Sequence, residues 1–288
     1  MAAKSRGIFE DAAMIPATEH QSASLALSPI AQNPQVGKWR TEAMRSHSTP
    51  RLLFIAKGHG RITIAGLTRG YGPNNLIFIP AHTMYGYDVG QTVFGQMLTI
   101  PGAMSPEWPD EPVHIRLRDV AVQKDFIGLM DGLEREIKSD QDVSQRAAHY
   151  RLGLISVFFE RQLIANDGAS TDLCAETSAA RVVAAYTDLI ERDYRSDLGV
   201  AEYAHALGVT PTHLTRCCNM TCNRSALELL VDRRHYEACV LLRDTKQSVK
   251  SIASDLGFSS AAYFSRAFQS RSGRPPSEFR KLGARTTR

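Results

Sequence analysis

The chain has 288 residues, of which 43% are hydrophobic and 22% are charged, and its formal net charge is +4. This composition is ordinary for a soluble globular protein, and the length allows two domains with separate cores. No apolar run approaches about 18 residues, which argues against a membrane span. No apolar stretch follows Lys4 and Arg6, which argues against a secretory signal. We therefore expect a cytoplasmic protein.

The charge is unevenly distributed along the chain. From Ser178 to the end there are 17 Lys and Arg against 11 Asp and Glu, whereas the preceding residues carry 17 against 19. A basic C-terminal third beside a slightly acidic remainder is typical of a nucleic-acid-binding module joined to a second domain.

Residues 1–35 have weak periodicity, and we expect an N-terminal arm with limited regular structure. Residues 36–120 then alternate in the manner of short strands separated by Gly, Pro and Asn turns, which favours a β-sandwich or a small barrel. The strand candidates are 52–56, 61–65, 76–80, 92–100 and 113–117.

Over 121–165 the apolar residues recur at the spacing of a helix. Its second helix, from about Gln145 to Ile164, is apolar over more than one face, so it needs a partner beyond its own domain. We predict that 121–165 is a dimerisation segment. The polar stretch 166–178 is interpreted as a linker between domains.

Residues 179–284 are predicted to be entirely helical. Two units with the pattern helix, glycine turn, helix occur at about 198–221 and 248–271, which we call the first and the second helix pair. A long helix over 225–244 joins them. Two such units in one domain are typical of proteins that place two recognition helices against a DNA duplex.

Local signals support these helices. Gly257 suits a turn that requires positive φ, and Asn223 tolerates the left-handed conformation better than most residues. Ser225 and Glu228 have the spacing of a capping box. The predicted core side chains of the two pairs are Leu214, Cys217, Cys218, Phe258, Phe264 and Phe268.

The C-terminal region also has a family resemblance. Residues 257–268 are GFSSAAYFSRAF, and 273–280 are GRPPSEFR. These runs resemble the signature of the arabinose-regulator (AraC/XylS-type) family of bacterial transcription factors, and the resemblance covers about 180–282. The chain departs from the signature at Ala262, at Pro275, and at Gln269–Ser270, which replace a usual basic pair. The resemblance implies a DNA-binding domain with two helix-turn-helix motifs.

The residue types suggest which side chains meet the bases. Arg216 is the strongest candidate for a bidentate guanine contact, while Ser and Gln can hydrogen-bond base edges and Ala can contact a thymine methyl. The predicted contacts are Thr212, His213 and Arg216 in the first helix pair, and Ser260, Ala261, Ser265, Arg266 and Gln269 in the second. A further set of basic residues could contact phosphates or simply be solvated: Arg233, Arg234, Arg243, Lys246 and Lys250.

The N-terminal half has a weaker resemblance, carried by 58–66 and 76–82, to the cupin-type effector domain that often precedes this DNA-binding domain. Enzymatic cupins hold a metal with a His-x-His pair, a Glu and a later His, and here the pattern is incomplete. We therefore expect no metal or other cofactor and no enzymatic activity. The predicted effector-binding residues are His47, Arg51, His82, Tyr85 and Tyr87, which would suit a small polar or anionic ligand.

The sequence thus predicts a multidomain α+β protein, with a cupin-like β-barrel, a helical dimerisation segment and an all-α domain with two helix-turn-helix motifs. The predicted function is that of a transcription regulator that binds double-stranded DNA as a homodimer and responds to a small-molecule effector. Effector binding would alter DNA affinity or contact with RNA polymerase.

Two alternatives remain. One is a metal-dependent cupin enzyme with an attached binding module. The other is a redox or metal sensor that uses the cluster His213, Cys217, Cys218 and Cys222, although a single helix does not easily make four ligands converge. The chain has five cysteines, and we expect the clustered ones to be buried and reduced, because an odd count in a cytosolic protein argues against a disulfide framework.

Overall fold

The computed structural model describes residues 24–30, 39, 41–90, 92–166 and 177–285. Most of the predicted arm, most of the predicted linker, and Cys174 lie outside these ranges. Within them, antiparallel sheets and two helices are followed by a region that is entirely helical. The predicted division into a β-rich N-terminal part and a helical C-terminal domain is therefore confirmed.

The described strands form two sheets. The larger sheet has the strand order β1-β7-β2-β5-β8 and the smaller has β4-β3-β6, and neighbouring strands are antiparallel. The bounds are β1 Ala26–Ile30, β2 Arg51–Lys57, β3 Gly60–Ile64, β4 Leu67–Tyr71, β5 Asn75–Ile79, β6 Tyr85–Asp88, β7 Phe94–Thr99 and β8 Val113–Arg116.

Three of these strands were not predicted. Strand β1, Ala26–Ile30, lies within the predicted arm, where no strand was predicted. It contains Pro29, which the ladder tolerates because β1 is an edge strand. Strands β4 and β6 are short and each includes a glycine, which weakens the sequence signal.

Two hydrophobic cores stabilise the N-terminal part. One lies between the two sheets and is built largely from isoleucines and tyrosines, including Ile62, Ile77 and Tyr85. The other lies between the outer face of the larger sheet and two helices, where Phe54 of β2 contacts Phe126 at a centroid distance of 5.0 Å. Because successive side chains of a strand point to opposite faces, β2 contributes to both cores.

These two helices are α1, Val120–Ile137, and α2, Ser144–Ala165. The Asp119 side chain caps α1 by accepting a hydrogen bond from the Ala121 N–H at 2.6 Å. The helices pack against each other and bury Leu152, Ile155 and Phe159 of α2.

The C-terminal helices surround a separate core that includes Tyr186, Leu214, Cys239, Phe264 and Phe268. Their bounds are α3 Ser178–Asp193, α4 Val200–Ala206, α5 Pro211–Cys222, α6 Ala226–Asp244, α7 Val249–Asp255, α8 Ala261–Ser272 and α9 Pro276–Arg285. Over the described residues, no helix is both long and apolar enough to cross a membrane.

The two parts of the chain pack against each other. Met44 and Met84 from the N-terminal part belong to the core of the helical domain. The Ser46 hydroxyl donates a hydrogen bond to Glu191 of α3 at 2.5 Å, and the Trp39 ring lies 5.7 Å from that of Tyr236 on α6. The segment that precedes β2 therefore contacts both α3 and α6, and strand β4 contacts α3 and α5.

Candidate nucleic-acid interface and effector site

The first helix pair consists of α4, a tight turn and α5. Gly208 adopts φ +66° in this turn, and Pro211 occupies the first turn of α5. The Thr210 side chain caps the helix by accepting a hydrogen bond from the His213 N–H at 3.2 Å. Leu214 and Cys217 face the core, as predicted.

The opposite face of α5 carries the three predicted contacts. Thr212 and Arg216 are exposed, and His213 is half-buried. The Arg216 guanidinium lies 3.3 Å from His213 Nδ1, and His213 Nε2 lies 3.5 Å from the Cys217 sulfur. The Arg216 side chain is thus held near the N-terminal end of α5 with most of its donors facing outward.

The cysteines of this region are buried, as predicted for Cys217, Cys218 and Cys222. Burial raises the pKa of Cys218 to about 12 and also raises that of Cys222, which disfavours the reactive thiolate form. In the described parts of the chain, no three His, Cys, Asp or Glu side chains are grouped so that they could hold a metal ion.

The second helix pair consists of α7, a turn at Gly257 and α8. Gly257 adopts φ +72°, as the sequence indicated, and Phe264 and Phe268 are buried. Ser260 caps α8 by accepting a hydrogen bond from the Tyr263 N–H at 3.2 Å.

The predicted contacts of α8 have unequal exposure. Ser260, Arg266 and Gln269 are exposed. Ser265 is half-buried, and Ala261 packs against the hydrophobic core. Ala262 and Tyr263 of α8 are also exposed, although they were not among the predicted contacts. The helical period alone did not identify them, because the helices that cover the buried face of α8 are distant in sequence.

Helix α6 joins the helix pairs and is held by internal ion pairs. Ser225 and Glu228 form the predicted capping box, and Asn223 before them adopts the left-handed conformation at φ +53°. Arg233 is buried and contacts Glu191 of α3 at 2.8 Å and Glu237 at 3.0 Å. Phosphate contact or simple solvation was expected for Arg233, and the structure contradicts both.

Arg234 is likewise used within the domain. Its guanidinium donates hydrogen bonds to the carbonyl oxygens of Tyr194, Ser196 and Leu198 at 2.8, 2.8 and 2.9 Å. The other predicted phosphate contacts, Lys246 and Lys250, are exposed, and Arg243 is half-buried. Two of the five basic residues therefore stabilise the domain, Arg233 from a buried position and Arg234 from a half-buried one.

The predicted effector residues lie at one end of the space between the two sheets. Arg51 begins β2, and the alternation of the strand directs it to the same side as the buried Leu53 and Ile55. Tyr85 and Tyr87 point inward from β6 of the other sheet, with their rings parallel and 6.3 Å apart. The His47 ring lies 5.9 Å from that of Tyr85.

His82 does not share this inward orientation. Its side chain is exposed and its backbone has φ +59°, where its N–H donates a hydrogen bond to the His47 carbonyl at 2.8 Å. His82 therefore lies in a surface turn, outside the inward-facing cluster.

Two residues of this cluster were missed. Arg45 pairs with Tyr85 through two backbone hydrogen bonds, and its guanidinium carbon lies 4.7 Å from the ring centroids of both Tyr85 and Tyr87. Tyr236 of α6 completes the group, with its ring 5.9 Å from Arg45. The cluster therefore contains two arginines and three tyrosines, and one of the tyrosines comes from the helical domain.

Electrostatics distinguish the two arginines. Arg45 is only 2% exposed, and its guanidinium also donates hydrogen bonds to the carbonyls of Thr41 and Ala43 at 2.9 and 3.5 Å. Arg51 has a buried Nη1 atom with no hydrogen-bond partner among the described residues, and burial lowers the pKa of its guanidinium. The Tyr85 hydroxyl is also buried and without a hydrogen bond within the described ranges.

Comparison with known proteins identifies the C-terminal region. Residues 203–282 match a family model described as "Helix-turn-helix domain". The chain is 32% identical over 93 residues to the Msm operon regulatory protein of Streptococcus mutans, covering 32% of this chain and 34% of that protein. It is 31% identical over 85 residues to the arabinose operon regulatory protein of Escherichia coli, covering 30% and 29%. The chain thus spans about a third of the length of these relatives.

Solved structures give a looser likeness over a longer range. ToxT from Vibrio cholerae, in a structure with a bound unsaturated fatty acid, is 15% identical, with a TM-score of 0.44 over 90% of this chain and 94% of that one. The C-terminal domain of AraT, a response regulator from Geobacillus stearothermophilus, is 26% identical, with a TM-score of 0.35 over 36% of this chain and 88% of that one. Since these TM-scores are below 0.5, the assignment of the C-terminal domain depends on the sequence matches alone. Residues 203–282 of this chain are a helix-turn-helix domain of the arabinose-regulator (AraC) type.

Proposed function

We propose that the chain is a ligand-responsive transcription regulator that acts by binding alone. The observation that carries the proposal is the pairing of two helices, α5 and α8, each preceded by a glycine turn and each presenting exposed polar side chains. Their capped N-terminal ends have a form suited to entering successive segments of the major groove. Arg216 on α5 and Arg266 with Gln269 on α8 are the proposed base or backbone contacts.

The first helix pair should supply most of the base discrimination. Replacing Arg216 with Ala is expected to weaken binding to the specific site by about 1–3 kcal/mol and to relax specificity at one base pair, because a bidentate guanine contact is lost. Gel-shift titration at fixed salt, on a site selected by the protein from a random pool, measures the change.

The control for this variant is Arg118→Ala, which removes the same charge from an exposed position in the N-terminal part. It should leave specific binding unchanged. Equal affinities for Arg216→Ala and wild type would remove Arg216 from the interface, and an equal loss on specific and random DNA would make it a phosphate contact.

The N-terminal sheets are proposed to be a cupin-like barrel that holds the effector. The support for this is the inward-facing polar cluster of His47, Arg51, Tyr85 and Tyr87 at one end of an otherwise apolar interior. A few convergent polar groups within an apolar enclosure are the usual composition of a small-molecule site.

Helix α2 is proposed to form the dimer interface. Its outer face carries an apolar stripe at Tyr150, Leu154, Val157 and Ile164, which are 70%, 55%, 43% and 73% exposed. The spacing of four, three and seven residues matches the seam of a coiled coil. A second copy of the chain is the proposed occupant, since the same stripe on each copy is self-complementary about a two-fold axis.

Replacing Leu154 with Glu should therefore weaken self-association at least about tenfold, because a carboxylate would be buried in an apolar seam. Sedimentation velocity over a range of concentrations measures it. Gln145→Glu adds the same charge on the other side of α2 and should have no effect. An unchanged dimer in Leu154→Glu, or a wild-type monomer at high concentration, would place the interface elsewhere or remove it.

A further inference from the structure

Two hydrogen-bond donors in the polar cluster lack an acceptor at good geometry among the described residues. These are the buried Arg51 Nη1 atom and the buried Tyr85 hydroxyl, whose side chains are close enough for only a weak hydrogen-bonding and electrostatic interaction with each other. The two side chains approach each other from the two sheets, since Arg51 begins β2 of the larger sheet and Tyr85 begins β6 of the smaller one. A buried donor without a partner is costly, so such groups normally meet an ordered water or a ligand.

The cluster also has an excess of positive charge. Arg45 and Arg51 are both guanidinium cations at any physiological pH. The electrostatic neighbours of Arg45 are the phenols of Tyr85, Tyr87 and Tyr236, and those of Arg51 are Tyr85, Tyr236 and the like-charged Arg45. Within the described residues, no ion pair joins either arginine to a carboxylate. Arg45 is compensated by carbonyl oxygens and by the tyrosine rings, whereas the half-buried Arg51 has an Nη1 atom without a hydrogen-bond acceptor among the described residues.

We propose that the ligand of the N-terminal domain carries a carboxylate, whose oxygens accept hydrogen bonds from Arg51 Nη1 and the Tyr85 hydroxyl. This inference rests on the proposed effector function and names the chemical class of the ligand. One open guanidinium nitrogen and one phenol match the two oxygens and single charge of a carboxylate. The carboxylate neutralises Arg51 and accepts a hydrogen bond from each donor. The binding free energy therefore comes from donors that lack acceptors in the ligand-free protein, within the described residues.

The position of the site also gives it a route to the DNA-binding domain. The Tyr85 ring lies against Arg45, and Arg45 in turn lies 5.9 Å from the Tyr236 ring on α6, the helix that joins the two helix pairs. A ligand hydrogen-bonded to Tyr85 therefore acts on a group that spans both parts of the chain. A differential interaction of this kind is what an effector requires in order to shift a conformational equilibrium.

The test is the thermal unfolding of the full chain with sodium propionate, hexanoate or phenylacetate, each compared with its amide, in a buffer free of other carboxylates. At least one acid should raise Tm by about 5 °C at saturation, and its amide should not, because the amide has the same shape without the charge. The shift should be lost in Arg51→Met and in Tyr85→Phe. It should persist in Arg61→Met, which removes an exposed arginine from the neighbouring strand β3.

The Tyr85→Phe variant separates a ligand role from a structural one. The hydroxyl has no hydrogen-bond partner at good geometry among the described residues, so its removal should leave the ligand-free Tm unchanged or higher while it abolishes the acid-dependent shift. Loss of ligand-free stability in this variant would instead indicate a structural hydrogen bond and would overturn the proposal.

Other outcomes are equally decisive. No shift with any acid would mean that the donors are satisfied by ordered water only, and an equal shift with acid and amide would mean that the charge is not recognised. Either result overturns the carboxylate site and leaves the regulator proposal intact. If acids bind as expected but leave affinity for the selected DNA site unchanged, the carboxylate site stands and effector control of DNA binding fails.

Discussion

Replacing Arg233 with Met is expected to lower the free energy of unfolding by about 3–5 kcal/mol, the typical cost of breaking a buried ion pair by removing one partner. The Arg233 side chain is 5% exposed, and its partners Glu191 and Glu237 are 9% and 6% exposed. The Tyr194 ring covers the guanidinium at 3.8 Å. Met fills much of the space but leaves two carboxylates in a site with too little positive charge.

The loss should depend on pH in a defined direction. Burial acts to raise the pKa of Glu237, but Arg233 and Arg195 outweigh it, so the pKa is lowered. A lowered pKa in the folded state stabilises the wild-type protein above the unfolded-state pKa of about 4.3, and this stabilisation is lost as the pH falls through the folded-state value. In Arg233→Met the Glu237 carboxylate loses the first-named of its two compensating charges and burial favours its protonated form, so the difference between variant and wild type should shrink as the pH approaches 4.

Urea unfolding followed by circular dichroism at pH 7 and pH 4.5 measures both effects. The matched control is Arg192→Met on α3, because Arg192 is 68% exposed and pairs with Asp193 at 2.7 Å. An exposed pair of this kind should contribute less than about 1 kcal/mol. If the two variants lose similar amounts, the buried triad does not hold α6 to α3 in the way proposed.

The ion pairs also fix how the two helix pairs are oriented. Asp232, the neighbour of Arg233 on α6, pairs with Arg224 at the end of the first helix pair and with Arg271 near the end of α8. Arg224 additionally lies 3.5 Å from the Glu42 carbonyl of the N-terminal part. Helix α6 thus carries charges on adjacent residues that connect it to α3 and α8, and Arg224 just before it connects Asp232 to the N-terminal part.

The sequence predicted what short-range signals encode. The helical period, the Ser225 cap, the left-handed Asn223 and the Gly257 turn are all local, and the structure agrees with each. The sequence did not distinguish a buried arginine from a solvated one. Arg233 and Arg234 look like surface residues because their partners on α3 and in the following loop are distant along the chain.

The effector cluster illustrates the same limit. Arg51 and Tyr87 were chosen for their chemistry within a predicted barrel, and the structure brings them to one end of its interior. Arg45 and Tyr236 were not chosen, because they join the cluster only when the β-rich part packs against α6. His82 lies outside the cluster, and nothing in the local sequence indicated that its turn would direct the side chain to solvent.

The two turn glycines are expected to respond very differently to the same substitution. Both have left-handed backbones, with φ +66° at Gly208 and +72° at Gly257, so a change to Ala carries about 1–2 kcal/mol of strain at either position. A Cβ at Gly208 meets no atom within 4 Å. A Cβ at Gly257 would overlap the carbonyl group of Ser196, and it would lie 2.9 Å from the Asp197 nitrogen.

Gly257→Ala should therefore destabilise the protein by about 2–5 kcal/mol, the sum of the strain and an overpacking term, and Gly208→Ala by about 1–2 kcal/mol. The clash cannot be relieved by a side-chain rotation, because the opposing atoms are backbone. Moving the Ser196 carbonyl would also stretch the 2.8 Å hydrogen bond that it accepts from Arg234. The substitution thus loosens the contact between the turn of the second helix pair and the loop that leads into the first.

Asparagine separates the two causes, because it tolerates positive φ, as Asn223 does in this chain, but still has a Cβ. Gly208→Asn should be nearly neutral in urea unfolding, whereas Gly257→Asn should remain about as damaging as Gly257→Ala. If Asn rescues both positions alike, backbone strain alone explains the glycines, and the contact with Ser196 does not position the second helix pair. If only Gly208 is rescued, the close approach of Gly257 to the Ser196 backbone is what excludes a side chain at the turn of the second helix pair.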